Sequence, residues 1–300
     1  VYKRQIVTLL PFEDGEKIAS VISCREFPED EYLMFATAHG MVKKTAMAAY
    51  DRSRRDGIIA INIKDGDRLL GVRRVKPGDK IIMATTAGKA IMFSEDQVRA
   101  TGRDTSGVRG IGMKADAEVL GMEITNGSGE LFVITERGYG KRTPVADYPE
   151  QNRGGQGVYT IQMTDRKGAL AAMKVVGPQH ELLIITEGAT VLRVKTAEIS
   201  QTGRATQGVK MMSVDEGDRV TAVARMTAAK KKDGDSAEGE ESVEAEGGEP
   251  TAQPADLPDG AVAEVPGDEG RADIGSGDEA LEDLLEELVG NIYDEFDPQE

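Results

Sequence analysis

The chain has 300 residues, of which 39% are hydrophobic, 30% charged and 4% aromatic, with no tryptophan. That length fits one large domain or two smaller ones, with a core that must rest on Ile, Val, Leu and Met. One cysteine, Cys24, excludes an internal disulfide and suits a reducing, cytoplasmic setting, and no signal peptide or membrane-length apolar run is expected. The chain opens on Val1 rather than Met, as a fragment of a longer protein would.

The net charge of −16 is unevenly spread. Residues 233–300 hold 24 acidic residues and one basic residue, Arg271, which leaves 36 basic and 29 acidic residues before them. The body is therefore +7 and the tail −23. Such an asymmetry suits a nucleic-acid-binding body with an acidic tail.

In chain order, 1–13 reads as the closing strand of a truncated preceding unit, with Ile6–Leu10 followed by an Asp14-Gly15-Glu16 turn. Four repeats follow, at 14–64, 65–114, 115–164 and 165–214, then a final strand at 215–230. Each repeat holds an apolar strand ending in threonine (Thr37, Thr85, Thr135, Thr186), a glycine (Gly40, Gly88, Gly138, Gly188) and a returning strand, the pattern of a hairpin. In the fourth the glycine comes one place early, so that hairpin should differ locally. A second glycine (Gly57, Gly107, Gly157, Gly208) precedes a short apolar strand at Ile58–Ile63, Val108–Met113, Val158–Met163 and Val209–Val214. No unit sustains the 3.6-residue period of a long helix. Units of about fifty residues with about four strands predict propeller-type blades that bury their faces on one another.

Residues 231–300 are rich in Gly, Glu, Asp, Ala and Pro and read as a disordered acidic tail. Leu281, Leu284, Leu285, Leu288, Val289 and Ile292 follow helical spacing, which predicts a short helix near 279–293. Its charge suggests competition with DNA for a basic surface.

Positive charge recurs at equivalent places. Lys44, Arg142 and Arg193 lie seven residues after the hairpin threonine, with Lys43 and Lys141 before two of them. Lys89 supplies charge from the second hairpin. Arg52, Arg54 and Arg55, then Arg103, Arg153 and Arg204, precede the second glycine, and Arg109 and Lys210 follow it. In a stacked array these fourteen residues would form a basic stripe that meets phosphates, so binding should weaken steeply with salt. No base-reading helix is evident, so DNA bending without sequence readout is expected. Nothing suggests an enzyme site: His39 and His180 occupy unrelated repeat positions, and the glycine-rich loop lacks the Lys-Ser/Thr of a nucleotide-binding loop.

Gln151-Asn152-Arg153-Gly154-Gly155-Gln156-Gly157 resembles the signature box of the C-terminal domains of DNA gyrase A subunits, Q-[KR]-R-G-G-[KR]-G. Both departures, Asn152 and Gln156, replace a basic residue. Tyr139-Gly140-Lys141-Arg142-Thr143-Pro144, Gly57-Ile58-Ile59-Ala60-Ile61-Asn62, Gly107-Val108-Arg109-Gly110-Ile111 and Gly203-Arg204-Ala205-Thr206-Gln207-Gly208-Val209 are similar to the family too. The resemblance spans roughly residues 6–227. It implies an all-β β-pinwheel, with four blades of a six-blade wheel present as an open arc. It implies a rim that wraps double-stranded DNA, supporting ATP-dependent negative supercoiling by a gyrase holoenzyme of two A and two B subunits. ATP and magnesium would belong to that holoenzyme; no catalytic residue, cofactor or metal site is expected in this chain. The box-like loop would bring backbone close to phosphate, with Arg153 as its charged partner. Two alternatives are the C-terminal domain of the topoisomerase IV A subunit and a β-propeller scaffold that binds proteins; the scaffold predicts no salt-dependent DNA affinity.

Overall fold

The computed structural model describes residues 18–51, 57–114 and 117–227. The chain divides into Val1–Ala228 and Ala229–Glu300, and every described residue lies in the first. The closing strand expected at 1–13, the last residues expected in the final strand and the acidic tail with its helix near 279–293 fall outside the described residues.

Fifteen strands are present among them. They are β1 Tyr32–Thr37, β2 Met41–Ala46, β3 Leu69–Val75, β4 Lys80–Thr85, β5 Lys89–Ser94, β6 Val108–Arg109, β7 Val119–Thr125, β8 Glu130–Thr135, β9 Tyr139–Pro144, β10 Val158–Tyr159, β11 Leu170–Val176, β12 His180–Thr186, β13 Val191–Lys195, β14 Val209–Lys210 and β15 Val220–Thr227. Only short 3-10 turns interrupt them. They form four antiparallel sheets, ordered β3-β1-β2-β6, β10-β5-β4-β7, β11-β8-β9-β14 and β13-β12-β15. The fold is all-β, as expected.

The hairpins explain the threonines. Thr37 Oγ1 accepts from the Met41 amide, and Thr85, Thr135 and Thr186 accept from Lys89, Tyr139 and Thr190 in the same way. A residue with positive φ closes each tip: Gly40 at 80°, Gly88 at 73°, Gly138 at 78°, and in the fourth unit Ala189 at 62°. The early glycine therefore does not reshape the fourth hairpin. Ala189 adopts the left-handed conformation instead, at a cost of about 1–2 kcal/mol that the tip's hydrogen bonds offset.

Each central strand buries both faces. In β4, Ile81 and Met83 pack toward Met34, Ala36 and Val42 of the first sheet, while Ile82 and Ala84 pack toward Leu131 and Val133 of the third. In β8, Leu131 and Val133 face one way and Phe132 and Ile134 the other, onto Leu182 and Ile184. This two-sided burial is why the strands read as continuous apolar runs rather than alternating ones. The inner strands β3, β7, β11 and β15 follow one another in contact and together line a cavity of about 250 Å³.

The strands after the second glycine depart from expectation. Val108–Met113, Val158–Met163 and Val209–Val214 are strand over two residues only, and Gly57–Lys64 holds none. The two-residue strands also cross into another unit's sheet: Val108 pairs with Val42, Val158 with Ala90 and Val209 with Gly140. Beyond them the chain wraps a hairpin tip, with the amides of Gly110 and Ile111 aimed at the Gly40 carbonyl, and then buries Ile111, Ile161 or Met212. Wrapping ends the ladder. It also moves the unit boundaries. Each sheet joins a hairpin to the inner strand after it, so the boundaries expected at 14–64, 65–114, 115–164 and 165–214 cut through the structural units.

Gly107 makes the crossing possible. Its φ is +77°, and a Cβ there would lie 2.3 Å from the Val42 carbonyl oxygen. Gly107→Ala should therefore lower the unfolding free energy in urea by about 2 kcal/mol or more. Gly102→Ala in the same loop, with open space around it, should change it by less than about 0.5 kcal/mol. Ala189→Gly should raise stability by about 1 kcal/mol.

Candidate nucleic-acid interface

Three equivalent loops lie across the outer strands of preceding hairpins. The Thr101 amide donates to the Lys44 carbonyl at 2.9 Å, that of Gln151 to Met92 at 2.8 Å and that of Thr202 to Arg142 at 2.9 Å. Each loop carries an arginine two residues on: Arg103, Arg153 and Arg204, all half-buried. The crossing strands then present Val108 and Arg109, Val158 and Tyr159, and Val209 and Lys210 at the outer edge of the sheets. Arg109 and Lys210 are exposed. Tyr159 is 58% exposed and stands at the same place, with the Lys89 ammonium 5.4 Å from its ring centre. The rim thus repeats a loop arginine and an edge residue at intervals of 50 or 51 positions.

Two-sided burial removes other candidates from the surface. Lys43, Lys44 and Lys141 are 1%, 7% and 0% exposed, so their expected place on a phosphate-facing stripe is corrected. Both faces of a strand between two units are covered, and a lysine there must find oxygen partners inside. Lys43 donates to the carbonyls of Ala60, at 2.7 Å, and Arg103. Lys44 pairs with the Glu95 carboxylate and lies 5.0 Å from the Tyr32 ring centre. Lys141 donates to the carbonyls of Gly203 and Arg204, each at 2.6 Å, and to Thr206 Oγ1 at 3.1 Å.

Arg142 and Arg193 share one register position and one use. Arg142 pairs with Glu130 and donates to the Ile199 carbonyl at 2.7 Å, and Arg193 Nε is 2.6 Å from Glu181 Oε2. Both brace their own hairpins. Of the fourteen predicted cations, Arg103, Arg109, Arg153, Arg204 and Lys210 come together on the rim, with Lys89 beneath Tyr159. Arg52, Arg54 and Arg55 lie outside the described residues.

The box-like loop is tied down through its own backbone. The Gly154 amide donates to Gly110 at 2.7 Å, Gly155 accepts from Gly112 at 2.8 Å, and the Gly155 amide points to Asn152. The amides of Gly154 and Gly155 are thus engaged within the protein. Gln97 holds Arg153: its side-chain oxygen accepts from the Arg153 amide and its carbonyl from Nε, both at 2.8 Å. Nη1 reaches the Arg109 carbonyl at 3.2 Å. Asn152 and Gln156 are exposed, and Gln151 is half-buried with Nε2 unpartnered. Its guanidinium partners here are carbonyl oxygens rather than carboxylates.

Sequence reasoning missed Lys167. It is 8% exposed, donates to the Gln207 carbonyl at 2.8 Å and to Gln207 Oε1 at 3.0 Å, and lies 4.8 Å from the Tyr139 ring centre. Position 167 has no basic equivalent in the other repeats, where Asp67 and Ala117 stand. Periodicity gave no signal for it.

The comparison with known families is decisive at this point. The model of the DNA gyrase C-terminal domain, a beta-propeller, matches residues 31–76, 79–126, 129–177 and 180–225. The chain belongs to this family. Each matched segment takes in a hairpin and the inner strand that follows it, the unit that the sheets define, the fourth ending within β15. The DNA gyrase A subunit of Salmonella typhimurium is 39% identical over 246 residues, 80% of this chain and 28% of that protein. The corresponding protein of Deinococcus deserti is 43% identical over 221 residues, 72% of this chain and 27% of that protein. The chain thus spans little more than a quarter of these relatives. Two solved structures share the fold at 24% identity. The C-terminal domain of DNA topoisomerase IV has a TM-score of 0.71 over 75% of this chain and 71% of that one. A DNA gyrase A C-terminal domain has a TM-score of 0.67 over 75% of each.

Among the described residues of this gyrase-family array, no helix is long and apolar enough to cross a membrane. Its buried lysines carry a titration signature. Burial pushes the Lys141 ammonium down to about 8, and the nearby Arg204 charge adds to the effect. Burial lowers Lys43 and Lys167 too. Between about 8 and the ordinary lysine value, the unfolded chain still holds a proton that the folded chain has lost. Stability contributed by Lys141 therefore rises with pH across that window. Urea titrations should show this rise, and Lys141→Met should flatten it.

Proposed function

We propose that this array binds duplex DNA along its rim and bends it, without reading sequence. The observation that carries the reading is the recurrence of Arg103, Arg153 and Arg204 in three equivalent loops, with exposed Arg109 and Lys210 beside them. Regularly spaced cations on successive units match the regular spacing of phosphates. Binding then gains mainly from counterion release. No helix is available among the described residues to enter a groove, so the contacts position the duplex rather than specify it. Bending a short duplex costs on the order of 1–6 kcal/mol, which repeated phosphate contacts along a curved array offset.

Membership in the gyrase family sets this activity in a larger assembly. The chain would act as the DNA-bending part of a gyrase A subunit. It would work with the gyrase B subunit in an ATP-hydrolysing type II topoisomerase that introduces negative supercoils in the bacterial cytoplasm. ATP, magnesium and the strand-passing chemistry would belong to the rest of that enzyme. Relatives named as gyrase A subunits, at 35–43% identity, favour this over topoisomerase IV.

DNA titrations of the full chain against salt test the reading. The logarithm of affinity should fall with the logarithm of salt concentration by about 0.9 for each phosphate neutralised. Replacing Arg103, Arg153 and Arg204 together by alanine should flatten that slope by about three. A slope near zero in the unmutated chain would refute the rim and favour a protein-binding scaffold.

A further inference from the structure

We propose that the buried lysines Lys141 and Lys167 are positioning residues for the rim, holding the loop Thr202–Gly208 so that Arg204 meets phosphate from a fixed place. The proposal deepens the DNA-binding reading and rests on it.

The geometry is specific. An ammonium has three donors and no acceptor. Lys141 meets three oxygens, the Gly203 and Arg204 carbonyls and Thr206 Oγ1. Those atoms belong to the loop itself and flank the arginine's own peptide. Lys167 takes the other end, through the carbonyl and the side-chain oxygen of Gln207. Neither lysine is placed to touch DNA, since both are buried. Two charges therefore sit beneath one loop and are spent on its backbone. The Tyr148 ring completes the support, with its centre 6.0 Å from the Arg204 guanidinium carbon.

The other units show that the loop, rather than the lysine, is what must be placed. Lys43 stands at the Lys141 position and donates to the Arg103 carbonyl, so the same fastening recurs two units away. In the unit between them Ile91 occupies that position, fully buried. There Gly155 lies close to the isoleucine, and the loop is tied to the Gly110 carbonyl and to Gln97 instead, beyond the bond from Gly112 that Asn62 and Gln162 repeat in the other two loops. A loop over an apolar side chain thus gains its fixings from neighbouring backbone.

Lys141→Ile, Lys167→Met and Arg204→Ala, singly and combined in the full chain, test the assignment. Lys141→Ile puts in the residue that the middle unit already buries at this place. Amide hydrogen exchange in 202–208 should rise by about tenfold or more in Lys141→Ile, while loop 101–107, held by Lys43, keeps its rate. Affinity for a short duplex at low salt should fall by roughly three- to tenfold in each lysine variant. In the Arg204→Ala background the lysine substitutions should cost nothing further, because they act through that arginine. Additive losses, or unchanged exchange in 202–208, would overturn the proposal. If Lys141→Ile fails to fold, the cycle of Lys167→Met with Arg204→Ala decides it by the same criteria. Absence of salt-dependent binding by the unmutated chain would sink the DNA reading instead, and the exchange comparison would still decide whether the lysines hold the loop.

Discussion

The structure depends on one constraint: each hairpin between two others must bury both of its faces. A strand such as Ile81-Ile82-Met83-Ala84 has no solvent side, because Ile81 and Met83 serve one interface and Ile82 and Ala84 the next. A single unit would expose the apolar residues that its neighbours cover, so the array is stable only as a series. The crossing strands reinforce the series. Val108, Val158 and Val209 complete a sheet that their own unit did not begin. Packing and backbone pairing therefore couple the same neighbours.

That constraint decides what a charge can do. Lys43, Lys44 and Lys141 stand where the strand is covered, so they become internal fasteners with oxygen partners. Arg142 and Arg193, at the register position of Lys44, brace acids on the paired strand of their hairpins. The repeated surface charge comes instead from the loops and from the two-residue strands at the sheet edges. Arg103, Arg153, Arg204, Arg109 and Lys210 all lie there. The rim is therefore narrower than the cation count suggests, and it is better supported.

Much of this was legible in the sequence. Thr37, Thr85, Thr135 and Thr186 marked the hairpins because a threonine hydroxyl is needed at each tip, and the spacing of Gly107, Gly157 and Gly208 marked the crossings. Unit boundaries were not legible, because nothing in Val108-Arg109 says that its partner lies in another repeat. Strand length was also hidden. Val108–Met113 is apolar throughout, yet its second half is a plug that buries Ile111 rather than a ladder. The equivalence of Arg103, Arg153 and Arg204 was legible in their spacing. The lysines were found by the same spacing but misplaced, because periodicity reports equivalence between units and not which side of a strand is covered. Lys167 has no equivalent and left no periodic trace.

The three loops meet one requirement with different chemistry. All three share a backbone bond, from Asn62, Gly112 or Gln162; to it the first adds one ammonium, the third two, and the middle one further backbone and Gln97 above isoleucine. In each case the arginine emerges at the same register from the preceding outer strand, set by the bonds from Thr101, Gln151 and Thr202. A rim that used only net charge would need none of this, since flexible lysines screen phosphates equally well at long range. Fixed loops matter when successive contacts must fall on a duplex with its own repeat, because a contact out of phase gains nothing from the bend made by its neighbours. On the proposed DNA-bending reading, the energy used to bury Lys43, Lys141 and Lys167 would serve bending: desolvated cations hold the loops, and the rim cations would use the geometry.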